Sequence, residues 1–270
     1  MLWAYCIGFF FFIKCKKRSG NKKLGEFCNP QERMNKKWKR VLLKLSGESL
    51  AGKDKVGINA EKLSAYAEEI AEASKKGFEI GIVIGGGNIF RGMQGASKGF
   101  DRVDGDTMGM LATMINSIAL KGALHACGCS STLFTAQPVS FVGEHFQVDL
   151  VRATLSEGKV AIFSGGTGNP FFTTDSAAAL RAAEIKADCL LKGTRVDGVY
   201  TADPEKDPTA KKYDQISSQE VYDLGLKVMD LTATTLCIEN EIPIVVFDMD
   251  TPGNLTKVLS GLPIGTLVTP

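Results

Sequence analysis

A glycine- and threonine-rich loop at residues 165–175 carries the most chemically suggestive spacing in this 270-residue chain. It reads Gly-Gly-Thr-Gly-Asn-Pro-Phe-Phe-Thr-Thr-Asp, follows an apolar run and precedes an alanine-rich segment. A strand, such a loop and then a helix capped by Asp175 would aim backbone N–H groups and the positive end of a helix dipole at one point. Asn169 and the hydroxyls of Thr173 and Thr174 add donors, so the loop predicts a phosphate site. An ordinary surface loop seldom combines these residues.

Two further glycine turns each carry a cation. Lys44 opens the turn Lys-Leu-Ser-Gly-Glu at 44–48, and Arg91 lies in Gly-Gly-Gly-Asn-Ile-Phe-Arg-Gly at 85–92. One glycine turn is weak evidence, whereas three turns at one edge of a sheet indicate a site for more than one phosphate. The chain has no GxxxxGK[ST] motif, and its nearest GxGxxG match has Phe171 in place of the third glycine. P-loop enzymes and dinucleotide-binding dehydrogenases are therefore disfavoured.

Apolar runs alternate with amphipathic segments from residue 40 onward, as strands alternate with helices in α/β proteins. This rhythm predicts an α/β fold, a three-layer sandwich in which helices cover both faces of a mostly parallel central sheet. Ligands of such sheets bind beyond the carboxyl ends of the strands, where the glycine turns are expected. The predicted strands are 41–45, 78–84, 131–136, 160–163, 189–192 and 244–248, and the predicted helices are 60–75, 107–127, 148–156, 176–186, 219–224, 232–240 and 254–259.

Charge is unevenly distributed along the chain. Residues 1–40 contain eleven Lys and Arg but two Glu, so the remainder has seven more acidic than basic residues. A mildly acidic globular part argues against nucleic-acid binding. The apolar run 2–13 is too short to span a bilayer and lacks the basic start and cleavage site of a signal peptide. We therefore predict a dispensable N-terminal extension, residues 1–33, no membrane anchor, and a single domain, residues 34–270.

The seven cysteines and two histidines predict no metal centre. The cysteines show no CxxC pairing, and Cys127 and Cys129 are interpreted as buried thiols of a protein in the reducing cytoplasm. Neither histidine belongs to a cluster of cysteines or carboxylates with the spacing of a zinc site, although His125 is followed by Cys127 and Cys129, so a structural zinc site is not supported.

Five motifs together resemble the bacterial uridylate (UMP) kinases of the amino acid kinase superfamily. They are Lys-Leu-Ser-Gly-Glu at 44–48, the glycine segment at 85–92, Gly-Asp-Thr-Met-Gly-Met-Leu-Ala-Thr at 105–113, Thr-Gly-Asn-Pro-Phe-Phe-Thr-Thr-Asp at 167–175 and Val-Asp-Gly-Val-Tyr-Thr-Ala-Asp-Pro at 196–204. The resemblance runs from about Trp38 to Thr269. It implies an amino acid kinase-like fold and transfer of the γ-phosphoryl group of ATP to UMP, which gives UDP and ADP in pyrimidine nucleotide biosynthesis.

The resemblance also implies roles for individual residues. Lys44 would bridge the donor and acceptor phosphates, and Arg91 would donate to the same oxygens as a forked donor. Asp175 would orient Lys44 or hold water on Mg²⁺, the cofactor expected with ATP. A general base is not needed, because the acceptor oxygen of UMP is already an anion. ATP is expected at Lys44, Leu45, Ser46, Gly47, Gly87, Arg91, Thr194, Tyr200 and Asp203. UMP is expected at Gly86, Asp106, Thr167, Gly168, Asn169, Pro170, Phe171, Phe172, Thr173 and Thr174.

Three charged residues leave alternatives open. Asp106 would accept hydrogen bonds from ribose hydroxyls, although an Asp before a helix also serves as an N-cap. Lys192 and Asp230 are either helpers in the site or structural charges.

Members of the family are typically hexamers built from dimers, activated by GTP and inhibited by UTP. The turn 52–57 matches the place associated with the GTP response in the family. The predicted helix 107–127 is apolar on nearly all faces, so it must be buried either against another subunit or inside its own subunit.

Two other functions remain open at this point. A nucleotide-binding or storage protein of the same fold would bind without turnover, and a related kinase would act on a carboxylate or carbamate. Retention of Lys44, Arg91 and Asp175 argues against the first, because binding alone does not need all three. Asp106 and the segment 167–175 argue against the second, since a carboxylate substrate calls for a more cationic acceptor pocket.

Overall fold

The structure, a computed structural model, describes residues 38–52, 56–90, 99, 101–204 and 206–270. The predicted N-terminal extension, residues 1–33, and the predicted catalytic residue Arg91 lie outside these ranges. Part of the turn 52–57 also lies outside them. No helix within the described ranges combines the length and the apolar character needed to cross a membrane.

The described residues form a nine-stranded sheet at the centre of the molecule. Its strands are β1 (Arg40–Leu45), β2 (Glu79–Ile84), β3 (Ser131–Thr135), β4 (Glu144–His145), β5 (Val160–Ser164), β6 (Cys189–Thr194), β7 (Gln215–Ser217), β8 (Ile244–Asp248) and β9 (Thr266–Thr269). They lie in the order β4-β3-β5-β2-β1-β6-β8-β9-β7. Neighbours in this described sheet pair in parallel, except β8 and β9, which pair antiparallel.

Helices cover both faces of the sheet. They are α1 (Gly47–Leu50), α2 (Ala60–Lys75), α3 (Arg102–Ala126), α4 (Val148–Ser156), α5 (Thr174–Ile185), α6 (Ser218–Asp223), α7 (Leu231–Glu239) and α8 (Asn254–Leu259). Side chains alternate across a strand, so Leu43 of β1 belongs to a core that includes side chains of α2, α3 and α8, whereas Leu42 belongs to a core that includes side chains of α4, α5, α6 and α7. Two apolar cores result, one on each side of the sheet.

The predicted three-layer α/β sandwich is confirmed, and its site-bearing strands end where the glycine turns begin. The bounds of α2, α4, β8 and α8 match the prediction. The third helix differs, because it begins at Arg102 rather than residue 107. Its N-cap is Asp101, whose side chain accepts a hydrogen bond from Val103 N at 2.8 Å. The short strands β4, β7 and β9 were not predicted.

Candidate active site

Three adjacent strands bring the glycine turns to one edge of the sheet. Strands β5, β2 and β1 are neighbours in that order, and all three are parallel. Gly85 N, just after β2, donates to Leu45 O at 3.0 Å. A Cβ atom on Gly47 would lie 2.4 Å from Gly85 O, so only glycine allows the first two turns to approach this closely. The predicted convergence of the turns is confirmed.

Asp175 lies between two lysines at this edge. Its Oδ1 atom is 2.9 Å from Lys44 Nζ, and its Oδ2 atom is 3.4 Å from Lys192 Nζ. Lys44 of β1 and Lys192 of β6 are register partners, which places both ammonium groups on the same face of the sheet. Lys192 Nζ also donates to Val228 O. From the sequence, Lys192 could be a helper in the site or a structural charge. Its position at the carboxyl end of a predicted strand was the signal that indicated a place in the site.

The mutual proximity of these charges shifts two pKa values. Burial would raise the pKa of the Asp175 carboxyl, but the neighbouring Lys44 and Lys192 outweigh it and hold that pKa below its usual value. Burial lowers the pKa of Lys192, and Lys44 adds to this effect, while Asp175 opposes it. Asp175 therefore stays ionised at neutral pH and supplies the negative charge that keeps two cations together.

Thr173, not Asp175, is the N-cap of α5, so the predicted capping role of Asp175 is wrong. Thr173 Oγ1 accepts hydrogen bonds from the N–H groups of Asp175 at 3.0 Å and Ser176 at 3.2 Å. The shorter threonine side chain can turn back to these N–H groups, which leaves the Asp175 carboxylate free to reach the lysines. The cap uses two N–H groups of the helix start, so anion binding there depends on the other donors of the loop.

Asp230 also binds side chains at the start of α5. It caps α7 by accepting from Ala233 N at 2.8 Å. It also accepts hydrogen bonds from Thr173 Oγ1 and, at 3.0 Å, from Ser176 Oγ. One carboxylate therefore ties the first turns of α5 and α7 together, which fixes the position from which Asp175 extends.

A first cavity of about 290 Å³ opens beside Lys44. Among the residues predicted to bind ATP, Lys44, Ser46 and Thr194 line it. Lys192 and Arg195 add positive charge to the same walls. Arg195 was not singled out from the sequence, because a single arginine in a loop gives no spacing signal.

A second cavity, of about 220 Å³, lies between α3 and the loop 165–175, and the Thr174 that lines it directly precedes Asp175. Seven of the residues predicted to bind UMP line it, namely Gly86, Asp106, Thr167, Asn169, Phe172, Thr173 and Thr174. Gly87, predicted on the ATP side, lines this second cavity as well. The remaining three predicted residues, Gly168, Pro170 and Phe171, belong to the same loop.

Asp106 connects α3 to the loop that closes the second cavity. Its Oδ2 atom accepts hydrogen bonds from Phe171 N and Arg102 Nε, both at 2.8 Å. Phe171 has a φ of 71°. The guanidinium of Arg102 lies 5.6 Å from the centre of the Phe171 ring. Asp106 lies within the helix, so the alternative of a simple N-cap is wrong. Arg102 was missed because the predicted helix began at residue 107, which left Arg102 and Asp106 outside it. Only a helix that begins at Arg102 places these two side chains one turn apart on the same face.

Two residues predicted near the ATP base and sugar lie in the loop after β6. Tyr200 Oη donates to Asp197 Oδ1 at 2.6 Å, and this hydrogen bond raises the pKa of the Tyr200 hydroxyl. Asp203 Oδ2 is 3.1 Å from Lys206 Nζ. Leu45 is fully buried at the end of β1, so it can contribute its backbone. The roles of these three residues stay predictions.

Comparisons with known proteins agree with this arrangement. The model of the amino acid kinase family matches residues 39–248. The chain is 62% identical over 231 residues to a uridylate kinase of Porphyromonas gingivalis, covering 86% of this chain and 97% of that protein. It is also 62% identical over 231 residues to the uridylate kinase of Parabacteroides distasonis, covering 86% of this chain and 98% of that protein.

Solved structures give the same similarity in three dimensions. The UMP kinase from Bacillus anthracis superposes with a TM-score of 0.84 at 38% identity, covering 87% of this chain and 97% of that one. The UMP kinase from Ureaplasma parvum gives a TM-score of 0.81 at 38% identity, covering 86% of this chain and 99% of that one.

Replacing Asp175 tests the ion cluster through its pH dependence. Asp175→Asn leaves two neighbouring lysines without their shared counter-charge, and we expect the free energy of unfolding at pH 7 to fall by roughly 3 kcal/mol. Because folding lowers the pKa of this carboxyl, its contribution is complete above the ordinary value of 3.8 and is lost as the pH falls through the folded-state value. Urea unfolding from pH 7 to pH 3 should therefore show the two proteins converging.

The exposed Asp214 supplies the control for this comparison. Asp214→Asn should change the free energy of unfolding by less than about 0.5 kcal/mol across the same pH range. A difference between the wild type and Asp175→Asn that stayed constant down to pH 3 would contradict a role for the ionised carboxylate.

Proposed function

This chain belongs to the amino acid kinase family, and on that premise we propose that it transfers the γ-phosphoryl group of ATP to UMP. The products are UDP and ADP. The observation that carries the proposal is the pair of cavities near the Lys44–Asp175 ion pair, one lined by Lys44 and the other by Thr173 and Thr174, and each lined by residues of the predicted nucleotide sites. Similarity to uridylate kinases over nearly their whole length supports UMP as the acceptor.

The reaction needs alignment and charge neutralisation more than proton transfer. An oxygen of the UMP phosphate attacks the γ-phosphorus of ATP, a new P–O bond forms, and the bond to the ADP oxygen breaks. The attacking oxygen is an anion at neutral pH, so two negatively charged groups must be brought together. We assign ATP to the first cavity and UMP to the second, with Lys44 between their phosphates.

The charged residues around Lys44 divide this work. Lys44 stabilises the charge on the transferring phosphoryl group, and Arg91 donates to the same oxygens as a forked donor. Asp175 contacts Lys44 and so holds its ammonium group in place at the edge of the first cavity. Lys192, which lines the first cavity, adds positive charge on the ATP side.

ATP enters this site as its Mg²⁺ complex. The described residues contain no cluster of three or more His, Cys, Asp or Glu that could hold a metal ion. Mg²⁺ usually takes one or two carboxylates together with phosphate oxygens and water, so the carboxylate of Asp175 beside Lys44 fits this ion. Asp175 is the carboxylate that would contact water on the ion, and the ion would neutralise phosphate charge.

The enzyme is expected to work in the cytoplasm as residues 34–270, with residues 1–33 dispensable. Relatives align through 231 residues of this chain, which cover 97–98% of their own length. The free thiols of Cys127, Cys129, Cys189 and Cys237 suit a reducing compartment. GTP as activator and UTP as inhibitor are proposed from the family resemblance.

An exposed apolar stripe on α3 supports contact with a second copy of the chain, and the homohexamer is proposed from the family resemblance. Leu111, Ile115 and Ile118 are 52%, 49% and 48% exposed, and their spacing places them on one side of the helix. Contiguous exposed apolar surface of this kind marks a protein contact. We propose that this stripe is buried against a second copy of the chain in a dimer, and that dimers build the hexamer.

A panel of acceptors tests the reaction itself. With ATP and Mg²⁺, release of ADP and formation of UDP should be rapid with UMP and far slower with CMP, dUMP, carbamate or N-acetylglutamate. Nucleotide binding by calorimetry without turnover of any acceptor would instead indicate a binding or storage protein. Turnover with carbamate or N-acetylglutamate but not with UMP would indicate a related kinase.

Removing the Lys44 ammonium group tests its catalytic role. Lys44→Ala should lower kcat by about 100-fold or more, since one charged donor to a transition state contributes at least roughly 3 kcal/mol. Lys159→Ala removes an exposed ammonium group that pairs with Glu157, and its kcat should match the wild type. Near-normal turnover by a folded Lys44→Ala enzyme would remove Lys44 from the mechanism.

A charge placed in the apolar stripe tests the assembly. Ile115→Glu should shift the sedimentation coefficient to that of smaller species, because a buried carboxylate at a subunit contact is strongly unfavourable. Ile238→Glu introduces the same charge on α7, where the side chain is 41% exposed, and should leave sedimentation unchanged. Sedimentation of Ile115→Glu at the wild-type value would contradict the proposed contact.

A further inference from the structure

Two buried asparagines form a reciprocal amide pair beneath the glycine turns. Asn88 is 2% exposed and Asn116 is fully buried. Asn116 Nδ2 donates to Asn88 Oδ1 at 2.7 Å, and Asn88 Nδ2 donates to Asn116 Oδ1 at 3.1 Å. Asn116 Nδ2 also donates to Gly85 O, and Asn88 Nδ2 to Gly57 O, both at 2.7 Å. Both amide oxygens accept a bond and both NH₂ groups donate two, so the pair is fully satisfied.

The pair lies where several backbone segments of the site meet. Gly57 N donates to Asn88 O at 2.9 Å, so the turn containing Gly57 is bonded to Asn88 in both directions. A Cβ atom on Gly47 would lie 2.5 Å from Asn88 Oδ1 and 2.4 Å from Gly85 O. The turn that follows Lys44 therefore rests on the same two groups that Asn116 binds.

Asn116 belongs to a row of polar residues along α3 that bind site loops. Asp106 accepts from Phe171 N at 2.8 Å, and Thr113 Oγ1 accepts from Gly165 N at 2.9 Å. Asn116 completes the row through Gly85 O. One rigid helix thus holds the loop after β5 at two points and the loop after β2 at one, which fixes the distances between loops that come from different strands.

We propose that the Asn88–Asn116 pair is a positioning element for phosphoryl transfer. It sets the glycine turn 85–87, which lines the second cavity, against the turn that presents Lys44. This inference rests on the proposed function. Neither amide lines the two cavities, so the pair acts through the backbone groups that it binds. A misplacement of about 1 Å between reacting groups can lower a rate by about 100-fold.

The test compares two neighbouring residues on α3. Asn116→Ala removes the bonds to Gly85 and Asn88. Ser117→Ala removes a fully buried hydroxyl whose bond, 2.8 Å to Thr113 O, lies within the helix. We expect kcat for UDP formation to fall at least tenfold in Asn116→Ala, with KM values for ATP and UMP changing less than threefold. Ser117→Ala should retain wild-type kcat even where its melting temperature falls by a similar amount.

A double-mutant cycle separates positioning from stability. If the amides act as one unit, Asn88→Ala and the double variant Asn88→Ala/Asn116→Ala should lose about as much kcat as Asn116→Ala alone. Rates are measured at a temperature where melting curves show every variant fully folded. Should Asn116→Ala not fold, Asn116→Ser, which keeps one hydroxyl donor, is compared with Ser117→Ala in its place.

The outcomes distinguish this inference from the proposed function. Equal kcat values for the Asn116 variant and Ser117→Ala, with a wild type active on UMP, would overturn the positioning role and leave the reaction intact. Multiplicative losses in the double variant would also overturn it, since independent residues do not form a unit. A wild type without activity on UMP would instead overturn the proposed function.

Discussion

The carboxylate of Asp175 holds together two ammonium groups that would otherwise repel each other. Lys44 and Lys192 lie in register on adjacent strands, and the spacing of about 4.8 Å between strands leaves little room for two cations on one face. Asp175 contacts both lysines from the first turn of α5, whose N-cap is Thr173. Because Thr173 and Thr174 precede Asp175 and line the second cavity, the same interaction sets the geometry of both cavities.

Much of this arrangement could be predicted from the sequence, because local residue types determine it. Continuous apolar runs identify buried parallel strands, and glycines directly after them identify turns that must approach closely. The turns at 44–48 and 85–92 and the loop at 165–175 follow strands that prove to be neighbours. Lys44 could be singled out because a cation next to such a turn has few structural reasons to be there.

The rest could not be predicted, because it depends on which segments become neighbours. The parallel register that places Lys192 beside Lys44 exists only in the folded sheet. The N-cap of α5 falls on Thr173 rather than Asp175 because distant lysines and Asp230 bind these side chains. The Asn116 contact with Gly85 joins residues 31 positions apart. Strands β4 and β9 have too few residues to show the alternation of apolar and polar side chains that identifies a strand in a sequence.

The most direct test is a crystal structure of the enzyme with UMP, Mg²⁺ and a non-hydrolysable ATP analogue. We expect the analogue in the first cavity, UMP in the second, and Lys44 Nζ within about 3 Å of phosphate oxygens of both nucleotides. Asp175 should remain in contact with Lys44. A complex in which Lys44 contacts neither phosphate, or in which both nucleotides bind in one cavity, would contradict this expectation.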